Sequence, residues 1–245
     1  MNFLRHSWYA FLYYLSWLLF GLGGLLLNLV LAPGLLLPDR RRLGPVARGA
    51  IRGMFSFWVK WLHACGVVHV YWHGVDKRLP GGRVYVANHP TLIDATLLLA
   101  RLPDAVCIFK PALLRNPVIG PAALLAGYIA GDQGVDTIRI AAEHVAAGQA
   151  LLIFPEGTRT APGSKLNPLK PGFGLIARRA NAPVQVMHIR SSPMLTTRGR
   201  KWWKLPPLPG RVDVYGGKQL PADSGVGTAE LTQQVDALLR AGPDS

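Results

Sequence analysis

The chain has 245 residues, half of them hydrophobic and only 16% charged, with a formal net charge of +14. That length fits one catalytic domain plus an appendage, and the positive balance asks for an anionic partner: a lipid headgroup surface, nucleic acid or an acidic protein. The basic residues are scattered, clustering only at Arg40 to Arg42, Arg178 to Arg179 and Arg198 to Lys204, with no nucleic-acid-binding motif among them, so no nucleic-acid partner is expected.

No Asp, Glu, Lys or Arg stands between Arg5 and Asp39. This Leu-rich stretch exceeds the ~20 apolar residues that a membrane span needs. Trp8, Tyr9, Tyr13, Tyr14 and Trp17 near its start suit an interfacial aromatic belt. It is too long for the apolar region of a cleaved signal peptide and ends without a small-x-small cleavage site. Gly21, Gly23, Gly24, Pro33 and Gly34 interrupt it, so two forms stay open: one tilted span, or a hairpin of two shorter helices dipping into one leaflet. Arg40, Arg41, Arg42, Arg48 and Arg52 follow, against Arg5 alone before it. The positive-inside bias therefore puts the remainder on the cytoplasmic face of the inner (cell) membrane, with the arginines meeting anionic headgroups. Residues 54–65, with Phe55, Phe57, Trp58, Trp61 and Leu62, read either as a second interfacial helix or as a core helix. Residues 1–65 are thus expected to form the membrane anchor and interfacial helices, and residues 66–245 the catalytic domain.

From Val67 the rhythm becomes strand, helix, strand. Residues 67–72 and 83–87 read as strands, with a turn at Leu79-Pro80-Gly81-Gly82 between them. His63, His69 and His73 lack a neighbouring Cys or carboxylate cluster at ligand spacing, so no metal site is expected. The second strand runs into Asn88-His89-Pro90-Thr91-Leu92-Ile93-Asp94, where Pro90 and Thr91 suit the entry to a helix. Across that turn the Asp94 carboxylate is placed to return to one imidazole nitrogen of His89, leaving the other to take a proton from an incoming hydroxyl. A His–Asp pair without a nucleophilic Ser or Cys suits direct transfer, with a neutral imidazole required. Taken alone, such a spacing also arises by accident, with His89 a helix cap and Asp94 a solvated first-turn acid.

A strand at residues 105–109, a proline-interrupted apolar helical stretch at 113–126, a short strand at 128–130 and an amphipathic helix at 136–147 follow. Cys107 here, and Cys65 before it, sit in apolar contexts; they exclude a disulfide framework and read as core thiols. The next strand, 150–154, delivers Phe154-Pro155-Glu156-Gly157-Thr158-Arg159. A carboxylate (Glu156), a glycine that admits close backbone approach (Gly157), a hydroxyl (Thr158) and a guanidinium (Arg159) suit a cradle for a polar headgroup; the plainer alternative is a surface turn closed by an Arg–Glu pair. Both motifs fall at the C-terminal end of a strand, where open α/β sheets bind ligands. A loop then leads through Lys170-Pro171-Gly172 to a helix ending in Arg178 and Arg179, and a strand at 183–189. Arg198 to Lys204 interleaves cations with Trp202 and Trp203. Beside an apolar anchor, that mixture favours headgroup contact over single-stranded nucleic acid. A last strand at 211–215 and an amphipathic helix at 228–239 complete an α/β fold. Its central sheet is mostly parallel and flanked by helices, behind an N-terminal hydrophobic membrane-anchoring helical segment.

The two motifs, in this order and at this distance, resemble the glycerolipid acyltransferase family, of the 1-acylglycerol-3-phosphate acyltransferase or lysophospholipid acyltransferase type; the likeness covers roughly residues 67–215. The resemblance implies transfer of a fatty acyl group from acyl-CoA or acyl carrier protein to a lysolipid hydroxyl, with no cofactor beyond that co-substrate. It further implies His89 as general base oriented by Asp94. Asn88, Glu156, Gly157, Thr158 and Arg159 would be substrate-binding residues, with Arg159 on an acceptor phosphate. Trp8, Trp17, Arg40, Arg41, Arg42, Trp202 and Trp203 are the expected membrane contacts, and membrane lipids the expected partner; nothing sets an oligomeric state. One departure stands out. Where the family carries an aromatic-hydrophobic-acidic-Arg stretch, this chain has Tyr128 to Asp132 followed by Gln133, so one phosphate partner is lost unless Arg139 replaces it. Residues 182–186 match the family's later Pro-hydrophobic block only in part. An amino-acid lipid or glycolipid is therefore an alternative acceptor. Two other classes are weaker: a non-enzymatic basic membrane-surface protein leaves His89, Asp94 and the second motif unexplained, and a hydrolase would want the G-x-S-x-G or metal set that is missing.

Overall fold

The computed structural model describes residues 3–75, 79–221 and 225–243. Helix α1 (Phe3–Leu31) is continuous and passes into a 3-10 segment at Ala32–Leu36, where Pro33 ends the α-helical hydrogen bonding. The glycines expected to interrupt α1 do not. Gly24 is a point of close approach: a Cβ there would stand 2.5 Å from the carbonyl oxygen of Val118. Helix α2 (Gly44–Ala64) buries Ala47, Ile51, Phe55, Trp58, Val59 and Leu62 along one stripe, so residues 54–64 belong to a core helix whose far side carries exposed Phe57.

Polar bonds fasten α1 to the rest of the molecule along its length. Trp58 Nε1 donates to the Ser16 carbonyl (2.7 Å), Trp61 Nε1 to Ser16 Oγ (2.9 Å) and the Ala122 N–H to Asn28 Oδ1 (2.6 Å). The opposite side of α1 leaves Trp8, Phe11, Leu18, Leu22, Leu26 and Leu29 exposed.

Among the described residues seven strands form one sheet: β1 (Val68–His73), β2 (Arg83–Ala87), β3 (Ala105–Phe109), β4 (Ile129–Ala130), β5 (Ala150–Ile153), β6 (Val184–Ser192) and β7 (Gly210–Leu220), in the order β1-β7-β6-β2-β5-β3-β4. From β6 to β4 every neighbouring pair is parallel, whereas β7 runs antiparallel to β6 and parallel to β1. Strand β7 is longer than its apolar core, 211–215, suggested, because β1 pairs with its first half and β6 with most of its length. The apolar stretch at 113–126 divides into a 3-10 turn, Pro111–Arg115, and a short helix α4 (Gly120–Leu125). Gly120 packs so tightly on Leu114 that a Cβ would meet its backbone.

The sheet is buried on both faces. Tyr85 and Ala87 of β2 join the core under α1, α2, α4 and α3 (Asp94–Arg101). Val84 and Val86 join the opposite core under α5 (Val135–Ala146), α6 (Gly172–Ala180) and α7 (Thr228–Ala241). Consequently the chain leaves β2 toward one face through α3, and leaves its neighbour β5 toward the other through α6. That divergence of adjacent parallel strands opens a crevice at their C-terminal ends, the place where α/β sheets take ligands.

Candidate active site

Both motifs emerge into this crevice. At the end of β2, Asn88 takes over the work of a strand residue with its side chain: Nδ2 donates to the Ile189 carbonyl (2.8 Å), and Oδ1 accepts the Ile189 N–H (2.7 Å). The sheet is prolonged while the Asn88 backbone is released to turn. Both ends of the amide are thereby occupied by β6, so Asn88 shapes the loop.

Residues 88–93 form a loop, and α3 starts at Asp94 rather than at Pro90. The cause is Asp94 itself. Its fully buried carboxylate accepts the Thr91 N–H (2.7 Å) and the Thr91 hydroxyl, which holds the preceding residues in a turn. His89 Nδ1 lies 2.8 Å from the same carboxylate. The two Thr91 groups donate to the carboxylate, and an ionised carboxylate only accepts; this assigns the imidazole proton to Nδ1 and leaves Nε2 presenting its lone pair. The ring stacks on Phe154 at 4.2 Å and keeps 18% of its side-chain surface exposed.

Glu156 turns inward. It is 4% exposed, and its carboxylate takes the His89 N–H (2.8 Å), the Thr160 hydroxyl (2.9 Å) and the Asn167 N–H (2.9 Å). The His89 carbonyl in turn accepts the Thr160 N–H (2.8 Å). Both backbone polar groups of His89 are therefore bonded to the second motif, which locks the two motifs into one unit. Arg159 makes no pair with Glu156, so the second motif is not a surface turn closed by an ion pair. One Nη1 of Arg159 donates to the carbonyls of Thr196 (2.7 Å) and Thr197 (2.9 Å), while Thr196 Oγ1 accepts the Leu92 N–H (3.3 Å). Among the described residues the Nε and Nη2 of Arg159 make no hydrogen bond. Partial burial holds its pKa below the usual guanidinium range, with the Asp94 charge opposing. Gly157 is exposed and left-handed (φ +67°), and Thr158 is half-buried beside it.

The loop bearing Thr196 reaches the apolar helix. The Trp202 carbonyl accepts from the Tyr13 hydroxyl and the Trp203 carbonyl from Tyr14 (3.1 Å), and Trp17 packs against Trp202 at 5.5 Å. Trp202 and Trp203 remain 45% and 50% exposed, on the same side of the molecule as the apolar face of α1. Trp8 is exposed on α1. Arg40, Arg41 and Arg42 are exposed in a 3-10 turn between α1 and α2, with Arg42 paired to Asp39 at 2.5 Å. A narrow apolar cavity lined by Trp17, Trp58, Leu62, Ile93, Leu195 and Thr196 lies between α1 and the His89–Asp94 loop.

Gln133 is exposed beyond β4. Arg139 does not replace a lost charge, because it is bound on the surface of α5 to Asp136 (3.1 Å) and Glu143 (2.9 Å). His63 Nδ1 accepts the Val70 N–H and His73 pairs with Asp213; among the described residues no group of three or more His, Cys, Asp or Glu is placed to hold a metal. Burial pushes the Cys107 thiol up to about 12, away from any nucleophilic role.

Residues 69–190 match the family model described as Acyltransferase. The chain belongs to the acyltransferase family. This acyltransferase-family chain is 33% identical over 118 residues to the 1-acyl-sn-glycerol-3-phosphate acyltransferase of Helicobacter pylori strain J99, a stretch covering 46% of this chain and 50% of that protein. It is 32% identical over 111 residues to the 1-acyl-sn-glycerol-3-phosphate acyltransferase of Cocos nucifera, covering 42% of this chain and 36% of that one. The chain thus spans half or less of the length of these curated relatives. Among solved structures, the 1-acyl-sn-glycerophosphate (LPA) acyltransferase PlsC from Thermotoga maritima superposes with a TM-score of 0.74 at 22% identity, over 100% of this chain and 98% of that one, which establishes the shared fold.

Several residues of the site carried no signal as such in the sequence. Thr91, Phe154 and Thr160 sit inside or beside the motifs and were legible only as neighbours. Thr196 is 37 positions from Arg159 and has no local mark at all.

Proposed function

We propose that this chain is a membrane-associated O-acyltransferase, moving a fatty acyl group from acyl-CoA or acyl carrier protein to the hydroxyl of a lysolipid, with 1-acylglycerol-3-phosphate as the leading acceptor. The observation that carries the reading is the His89–Asp94 pair, with Nε2 making no hydrogen bond among the described residues, joined to Arg159 through one hydrogen-bonded frame. The names of the relatives support the same acceptor.

In the reaction the acceptor hydroxyl approaches His89 Nε2 and attacks the thioester carbonyl carbon as its proton passes to the imidazole. Asp94 holds the ring in the Nδ1–H tautomer and stabilises the imidazolium that forms. The tetrahedral adduct then collapses: the carbon–sulfur bond breaks, the ester forms, and the thiolate recovers the proton as free thiol. A thioester is already activated, so the step asks for a base and no cofactor. Arg159, through Nε and Nη2, binds the acceptor's headgroup beside Gly157 and Thr158. Asn88 and Glu156 serve by fixing the loop that carries His89.

Residues 1–65 form the anchor in this reading and residues 66–245 the catalytic part. Because Ser16, Gly24 and Asn28 are all held against the body of the protein, α1 cannot cross the bilayer alone without drawing Arg48, Arg52 and Lys60 of α2 in with it, at several kcal/mol each. Its outward apolar face instead enters one leaflet of the inner membrane from the cytoplasmic side, with Arg40, Arg41, Arg42, Trp8, Trp202 and Trp203 at the headgroups. An acceptor without phosphate is the second reading, favoured by Gln133. Membranes incubated with radiolabelled acyl thioester test both. Labelled product that requires an added lysolipid, and that disappears in His89→Ala, supports transfer; free fatty acid alone would point to hydrolysis, and near-normal turnover in His89→Ala removes the assignment.

A further inference from the structure

The turn that carries Arg159 is approached by a second cation. The Lys170 N–H donates to the Pro155 carbonyl (2.9 Å), which pins this residue to the second motif from outside it. Its side chain then lies across Gly157: a Cβ built on that glycine would stand 3.1 Å from Nζ, 3.2 Å from Cε and 3.5 Å from Cδ. Glycine is favoured here by φ +67°, and a side chain in its place would push the overlying lysine aside by a few tenths of an ångström.

The charges around this turn do not balance. Lys170 is exposed and forms no ion pair among the described residues. Arg159 spends one nitrogen on two neutral carbonyls, and its remaining donors make no hydrogen bond among the described residues. The carboxylate of the motif, Glu156, is buried and saturated by His89, Thr160 and Asn167. An ammonium thus lies over Gly157 and a guanidinium follows it two residues on, and among the described residues neither is in an ion pair. A group with two negative charges and several acceptor oxygens meets that demand, and a phosphate monoester supplies both.

We propose that Lys170 is the second phosphate contact of the acceptor site, acting with Arg159 and making up for the uncharged Gln133. This rests on the acyl-transfer reading and sharpens it: the acceptor is a lysolipid ending in a phosphate monoester, not a neutral or zwitterionic lipid.

The test uses the full chain in phosphatidylcholine vesicles, with acyl-CoA as donor, 1-acylglycerol-3-phosphate as varied acceptor, and monoacylglycerol as comparison. Lys170→Gln is expected to raise KM for the phosphate acceptor about 10- to 100-fold. Its kcat should stay within about threefold and its Tm within a degree of the parent, and Lys170→Arg should recover most of the KM. An unchanged KM in Lys170→Gln overturns the proposal. So does a rise in KM that Lys170→Arg fails to recover or that comes with a matching loss of Tm, and so does a parent enzyme that prefers monoacylglycerol. Turnover lost in His89→Ala while Lys170→Gln behaves as the parent would leave acyl transfer standing and remove only the role of Lys170; turnover kept in His89→Ala would remove the underlying reading.

Discussion

Glu156→Gln separates two roles for the acid of the second motif. The substitution keeps shape and volume, yet the native carboxylate faces three donors: the His89 N–H, the Thr160 hydroxyl and the Asn167 N–H. The Thr160 hydroxyl can rotate to accept, but the two backbone N–H groups cannot. An amide NH2 in either position therefore opposes one of them, in a site only 4% exposed. Losing one hydrogen bond to a charged acceptor and leaving a buried donor unmatched costs about 2 kcal/mol or more. For a chain of this size that is a fall in Tm of roughly 4–8 °C. Because His89 hangs from this bond, kcat should fall with stability, while KM for the acceptor changes little. Thermal unfolding followed by circular dichroism in detergent, with steady-state kinetics on the same preparation, reads both. A Tm unchanged within a degree together with a raised acceptor KM would refute the brace and return Glu156 to the substrate.

Other outcomes follow from the same geometry. His89→Ala should abolish transfer while expression and vesicle binding persist, and Asp94→Asn should lower kcat roughly 1000-fold or more, since the amide no longer enforces the Nδ1–H tautomer; single-turnover acyl transfer measures both, and residual rates above a tenth of the parent would contradict them. Gly157→Ala forces a side chain into left-handed backbone at about 1–2 kcal/mol and displaces Lys170, so acceptor KM should rise more than kcat falls. Gly24→Ala drives a methyl group against the Val118 carbonyl, 2.5 Å away, and should loosen α1 at a cost of about 1–3 kcal/mol, visible as a lower Tm and faster proteolysis of the N-terminal helix.

The α/β alternation, the strands that lead into each motif and the His89–Asp94 spacing were all readable in the primary structure, for one reason. Each depends on neighbours within a few residues, where periodicity and turn chemistry act. The same locality explains the amphipathic helices near 136–147 and 228–239. It fails for the partners of Glu156 and Arg159. A carboxylate in a turn looks identical on paper whether it faces a ligand or a backbone N–H 67 residues away, and a guanidinium gives no hint of carbonyls 37 residues on. Glycines in an apolar helix read as breaks, although Gly24 is there to admit another segment's backbone. Composition and local spacing determined the class of chain and the pair of groups offered for chemistry. Only the tertiary structure decided which polar side chains brace the site and which stay free to bind, because that depends on long-range packing bringing each donor to its acceptor.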